Sequence, residues 1–185
     1  MHQPLSQYFV VKIPVKPYIK KYLQALYGRP VVFSTTNYFG ATIIAFLDRK
    51  FYSTRKEDIV FKRFDKLTDA IDIYLPKYWL NKRGISYGYD VSMQNTIIIN
   101  KMFEERFAED ICKHCTLYDT MGFDIKDAIE DFCTVHMVDI ETDISFDALK
   151  KKEYRYRKEK QKQFHTNLSC QKSLPLPEFN FLAIL

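Results

Sequence analysis

Four large apolar residues, Ile99, Phe103, Phe107 and Ile111, recur every four residues in the run NTIIINKMFEERFAEDICKHC. In a strand Lys101, Glu105 and Glu109 would share a face with them, whereas an α-helix stacks the four apolar side chains on one side and turns those charges away. Ile98 and Met102 widen that side, and Glu104, Glu105, Glu109 and Asp110 take polar positions. The segment reads as an amphipathic helix pressed on a core, with Asn95 as its candidate cap. Burial of the stripe outweighs its surface charges, at roughly 1.5–3 kcal/mol of transfer energy for each large apolar side chain.

Earlier in the chain the period is two. In DAIDIYL (69–75), Ile71, Ile73 and Leu75 alternate with Asp72 and Tyr74, the pattern of a half-buried strand. YFVVKIPV (8–15) is also β-rich, and Pro14 suits the end or edge of a strand. Pro17 opens PYIKKYLQALYG, where Ile19, Leu23 and Leu26 make a short helical stripe and Gly28 a stop. Lys20 and Lys21 are expected in water. A second β-prone run covers 29–33, and the apolar block 41–47 fits either a buried strand or a short helix. STRKE (53–57) reads as a surface loop and GISYG (84–88) as a turn between short strands; the latter lacks the spacing and lysine of a phosphate-binding loop.

Past residue 122 the pattern is helical again. Gly122 permits a turn, Asp124 is a candidate cap, and Ala128, Ile129, Phe132 and Val135 form an expected inward face. An acidic connector, DIETDI, leads to Ser145, a candidate cap for SFDALKKKEYRYRKEKQK, with Ile144 and Leu149 packing beside the helix start. The expected class is α+β: a small N-terminal mixed or antiparallel sheet with a C-terminal helical module. Three regions follow: mixed α/β over 1–92, a helical module with a helix-turn-helix-like pair over 93–164, and an extended apolar tail over 165–185 that packs on the core or on a partner.

Charge is the strongest functional signal. Residues 1–100 hold 15 basic and 7 acidic side chains, 101–147 hold 4 and 13, and 148–185 hold 9 and 3. Within 150–162, eight cations face two glutamates: Lys150, Lys151, Lys152, Arg155, Arg157, Lys158, Lys160 and Lys162 against Glu153 and Glu159. A helix presenting such groups can meet phosphates and release their counterions. Tyr154 and Tyr156 are placed to anchor the helix or to stack on bases, and Lys82 and Arg83, beside Trp79 and Tyr78, form a second candidate phosphate contact. The expected function is non-enzymatic DNA binding in regulation or DNA organisation. The charge pattern does not separate DNA from RNA. The alternative is an interaction or assembly module, a homo-oligomer in which acidic and basic helices pair between subunits.

Other chemistry is weaker. Cys112, His114 and Cys115, with Cys133 and His136, have donor types that suit zinc, yet three-residue spacing also arises on any helix face. Structural cysteines are expected, with no metal and no cofactor. Adjacent pairs such as Glu104 with Glu105 or Glu130 with Asp131 do not define two facing catalytic carboxylates, so no enzyme is expected. No apolar run approaches the roughly 20 residues that span a bilayer, and the first residues lack the pattern of an export signal, so the expectation is a cytoplasmic protein with reduced cysteines.

Overall fold

Residues 5–49, 65–82 and 89–171 are described by the structure, a computed structural model. Its elements in chain order are β1 (Tyr8–Val15), α1 (Pro17–Tyr27), β2 (Val31–Val32), α2 (Tyr38–Ala45), β3 (Leu47–Arg49), β4 (Asp69–Pro76), α3 (Lys77–Lys82), β5 (Tyr89–Val91), α4 (Met93–Thr120), α5 (Ile125–Val135) and α6 (Phe146–Gln171). The chain is α+β, with a mixed N-terminal sheet and a C-terminal helical bundle. The expected loop at 53–57, turn at 84–88 and residues 172–185 of the expected extended tail lie outside the described residues, and residues 165–171 of that tail are helical, continuing α6.

The alternation in DAIDIYL makes β4 the middle strand of a sheet ordered β1-β4-β2. β1 runs antiparallel to it, pairing Val11 with Ile73 and Ile13 with Ile71, and β2 runs parallel, pairing Val31 with Ile73. All five side chains are buried, while Val10, Lys12 and Asp72 face water, as expected of a sheet covered on one side. Pro14 is tolerated because β1 is an edge strand and a missing N–H there breaks no ladder. A second sheet joins β3 to β5, antiparallel.

The four-residue stripe of α4 fills the space over the sheet. Ile99, Phe103, Phe107 and Ile111 have no exposed surface. Phe107 meets Tyr18 and Tyr22 of α1 at 5.1 Å between ring centroids and Phe132 of α5 at 5.5 Å, all three edge-on, the arrangement aromatic quadrupoles favour. One buried cluster thus runs from Val11 on β1 to Leu149 on α6.

Several local expectations are corrected. Ser92, not Asn95, caps α4: its hydroxyl accepts the Asn95 N–H, while the Asn95 amide donates to the Phe46 carbonyl. Ile98 is exposed, because it falls nearly opposite the stripe. α1 buries Tyr18, Ile19, Tyr22 and Leu23; Leu26, in the last turn, shares that face but is exposed. In α5 the inward set is Ala128, Ile129, Phe132 and Cys133, and Val135 sits about a quarter-turn off it, exposed. Block 41–47 resolves into the end of α2 followed by the start of β3, and 77–82 forms the short helix α3. Asp124 occupies the cap position of α5 with extended backbone, but its side chain makes no capping hydrogen bond.

Two successive helix ends set the direction of the bundle. At the end of α4, Phe123 N–H donates to the Tyr118 carbonyl at 3.0 Å and Gly122 N–H to Asp119 at 3.1 Å, with Gly122 at φ +82°. The Phe123 ring then lies 5.5 Å from that of Tyr118, the apolar contact that accompanies this type of cap. α5 ends the same way, with Val138 N–H on the Cys133 carbonyl at 2.9 Å and Met137 N–H on Thr134 at 3.2 Å. Here the left-handed position is held by Met137, at φ +56°. The connector that follows is tied to α1, because Lys21 holds both Asp139 and Asp143. Lys20 likewise pairs with Asp69 at 2.8 Å. Neither lysine is the solvated charge that the sequence suggests.

Candidate nucleic-acid interface

Ser145 starts α6: its hydroxyl accepts the Ala148 N–H at a long 3.4 Å, and its carbonyl accepts the Leu149 N–H at 3.1 Å. The Glu141 carboxylate takes a further first-turn donor, Phe146 N–H, at 3.0 Å. Leu149 and Glu153, four residues apart, then turn inward and are buried. That inward pair fixes the rotation of the helix, and with it the direction of every cation in 150–162.

The eight cations divide into two groups. Lys151, Arg155, Lys158 and Lys162 follow each other at spacings of four, three and four, which places them on one face, opposite Leu149 and Glu153. All four are exposed, as is Lys150 at the edge of the face. Tyr154 lies among them, half exposed, with Lys158 Nζ 5.7 Å from its ring centre. Lys150, Lys151 and Arg155 form no ion pair among the described residues.

Of the remaining three cations, Lys152 meets other elements and Arg157 and Lys160 meet residues of α6 itself. Lys152 Nζ lies 3.0 Å from Glu104 on α4 and 5.7 Å from the ring centre of Tyr18. Glu104 also receives Lys16, so one carboxylate joins the β1–α1 junction, α4 and α6. Burial alone would raise the Glu104 carboxyl, but the hydrogen bond from Lys16 and the charge of Lys152 outweigh it and hold the group below the usual range. Arg157 pairs back to Glu153 at 3.3 Å. Lys160 sits 5.3 Å from the ring centre of Tyr156 at the rim of a groove facing α4. Tyr156 therefore belongs to the inner side of the helix, unlike Tyr154.

Lys82 is exposed in the last turn of α3, outside the helical bundle, and Arg83 lies outside the described residues. α5 and α6 both pack against α4, which acts as the common support for the two helices that the sequence pairs with each other. From Lys158 through Lys162 every side chain is exposed, more than a full turn with no buried face.

The sulfur and imidazole groups are accounted for by packing. Cys112, Cys115 and Cys133 are buried free thiols. Burial pushes the Cys115 thiol up to about 12 and the Cys133 thiol up to about 11, which disfavours the thiolate that metal binding requires. His136 donates from Nδ1 to the Phe132 carbonyl at 2.8 Å and stacks on the Phe132 ring. His114 Nε2 lies 3.0 Å from Asp131. Among the described residues no three donors are grouped to hold a metal ion, and no helix is long and apolar enough to cross a membrane.

No protein-family model, curated protein or solved structure matches the chain.

The sequence shows which residues are charged but not which of them are already paired. Lys152, Arg157 and Lys160 have the same composition signal as Lys151 and Arg155. Only the inward placement of Leu149 and Glu153 separates the groups, and a four-residue spacing of Leu and Glu is a weak sequence sign of a buried face.

Proposed function

We propose that this chain is a non-enzymatic DNA-binding protein, with a role in regulation or DNA organisation, and that the outer face of α6 makes the contact. One observation carries the reading: Lys151, Arg155, Lys158 and Lys162 form a single exposed stripe on a helix that turns Glu153 inward, while Glu159 lies off the stripe at the groove facing α4. From Lys151 to Lys162 the stripe runs about 16 Å along the helix axis, enough to follow several successive phosphates. Attraction is mostly to phosphate; Tyr154 and Arg155 supply limited contact with a groove or an exposed base. No cofactor is needed for such binding.

The test compares wild type with a variant carrying Lys151→Gln, Arg155→Gln and Lys158→Gln, in a binding screen against double-stranded DNA, single-stranded DNA and RNA. Binding to double-stranded DNA by wild type and its marked weakening in the variant, with unchanged circular dichroism, supports the reading. Preference for RNA would move the assignment to that polymer, and equal binding by both proteins would remove the α6 face from it.

A second reading, assembly through acidic and basic helices of different copies, is favoured by another surface. At the α4–α5 corner Leu117, Met121 and Phe123 are exposed beside Asp119, Asp124 and Asp127. An apolar patch with an acidic rim suits a cationic helix such as α6 of a second copy. Mass measurement across protein concentration, at low and at high salt, tests it without nucleic acid.

A further inference from the structure

The geometry points to a second binding site on the inner side of α6, for an organic cation: an alkylammonium or guanidinium group. A groove of about 650 Å³ opens between the end of α1, the start of α2, the middle of α4 and α6. That volume lies in the range of small-ligand sites. Tyr27, Tyr38, Phe39 and Tyr156 supply aromatic walls. Tyr38 is 70% exposed, an unusual state for a ring of that size within a cleft.

The charges in the groove favour a cation. Glu105, Glu109 and Glu159 line it against Arg106 and Lys160. Arg106 pairs most closely with Asp110, at 3.1 Å, which is not part of the lining, and more loosely with Glu109, at 3.7 Å. Glu109 is paired to Lys113 at 2.8 Å. Glu105 has only a loose contact to Lys101 at 3.6 Å, and Glu159 has no ion pair among the described residues. Two carboxylates therefore line the groove together with its aromatic side chains, and among the described residues neither has an ion pair shorter than 3.6 Å. Such a combination attracts a cation twice, through Coulomb attraction and through the ring quadrupole.

Lys160 shows how such a ligand would sit. Its ammonium lies 5.3 Å from the centre of the Tyr156 ring, within the distance of a cation–π contact. An incoming ammonium competes with Lys160 for that ring. A free amine and a lysine or arginine side chain of a peptide share this chemistry. The site does not depend on the DNA reading, and its test contains no nucleic acid.

Butylammonium is titrated into the full chain while amide resonances are followed by NMR, with butanol as the uncharged control and a short capped peptide holding one lysine as the second arm. Saturable shifts are expected at groove residues with the amine, the peptide or both, and none with butanol; the tighter binder identifies the source. Glu105→Gln with Glu159→Gln, both at exposed positions, should weaken binding about threefold or more, and Lys160→Met should strengthen it by about twofold or more, the size of a partly exposed cation–π contact. Equal shifts with butanol, unchanged affinity in the double glutamine variant, or no saturable shift in the groove with either amine or peptide would overturn the assignment.

Discussion

Arg157 Nε lies 3.3 Å from Glu153 Oε1, one turn back along α6, so the helix carries on its buried side a carboxylate neutralised by one of its own cations. Burial nevertheless pushes the Glu153 carboxyl above the usual glutamate range, with Arg157 offsetting only part of it. The folded state then keeps this proton to higher pH than the unfolded chain does. Its contribution to stability falls as pH rises from the ordinary carboxyl range to the folded value, and is level above that. Glu153→Gln should remove this slope. In urea melts from about pH 4 to about pH 8 the variant gains on wild type as pH rises; a difference independent of pH would show that the carboxyl is not perturbed.

Gly40 has no space for a side chain. A Cβ there would stand 2.1 Å from the Ser34 carbonyl oxygen and 3.0 Å from Phe33 Cβ, so α2 or the preceding backbone must shift to admit it. Gly40→Ala gains helix propensity yet should destabilise by about 1–3 kcal/mol, the range of overpacked sites. A chemical melt at or above wild-type stability would contradict this close approach.

Met137 has the opposite problem. It holds φ +56° at the end of α5, where the left-handed backbone costs an L-residue about 1 kcal/mol or more. Its side chain is exposed and supplies no core packing. Met137→Gly should therefore raise stability by up to about 1 kcal/mol. Gly122 at the end of α4 provides the reciprocal control: Gly122→Ala, at φ +82°, should lower stability by a similar amount. The same sign for both substitutions would rule out the paired caps as described.

Cys115 and Cys133 should be protected from alkylation at neutral pH, because both are buried and their thiols are held at about 12 and about 11. Reactivity requires thiolate. Peptide mass mapping after brief treatment with iodoacetamide should find them modified only when urea is present. Rapid modification in the native protein would mean that the α4–α5 contact opens readily.

The elements with strong periodicity were legible. Ile71, Ile73 and Leu75 marked a strand buried on one face, and Ile99 through Ile111 marked the helix that covers it. Legibility failed where geometry depends on what comes next in space. Val135 looked like a continuation of the α5 stripe but falls off it, and Lys20 and Lys21 looked solvated but meet carboxylates from β4 and from the 138–145 connector. On α6 the cluster of cations was visible while its division was not. Lys152 and Glu104 are 48 positions apart, and no local pattern announces their contact. The groove beneath α6 joins side chains from four elements and had no counterpart in any single stretch of sequence.

The most direct measurement is the salt dependence of binding to a double-stranded DNA fragment, for wild type and for the Lys151→Gln, Arg155→Gln, Lys158→Gln variant. Each phosphate neutralised contributes about −0.9 to the slope of log K against log salt, so loss of three contacts should flatten that slope by about 2 to 3 as affinity falls. Parallel lines for the two folded proteins, at equal affinity, would contradict the claim that the outer face of α6 holds the polyanion.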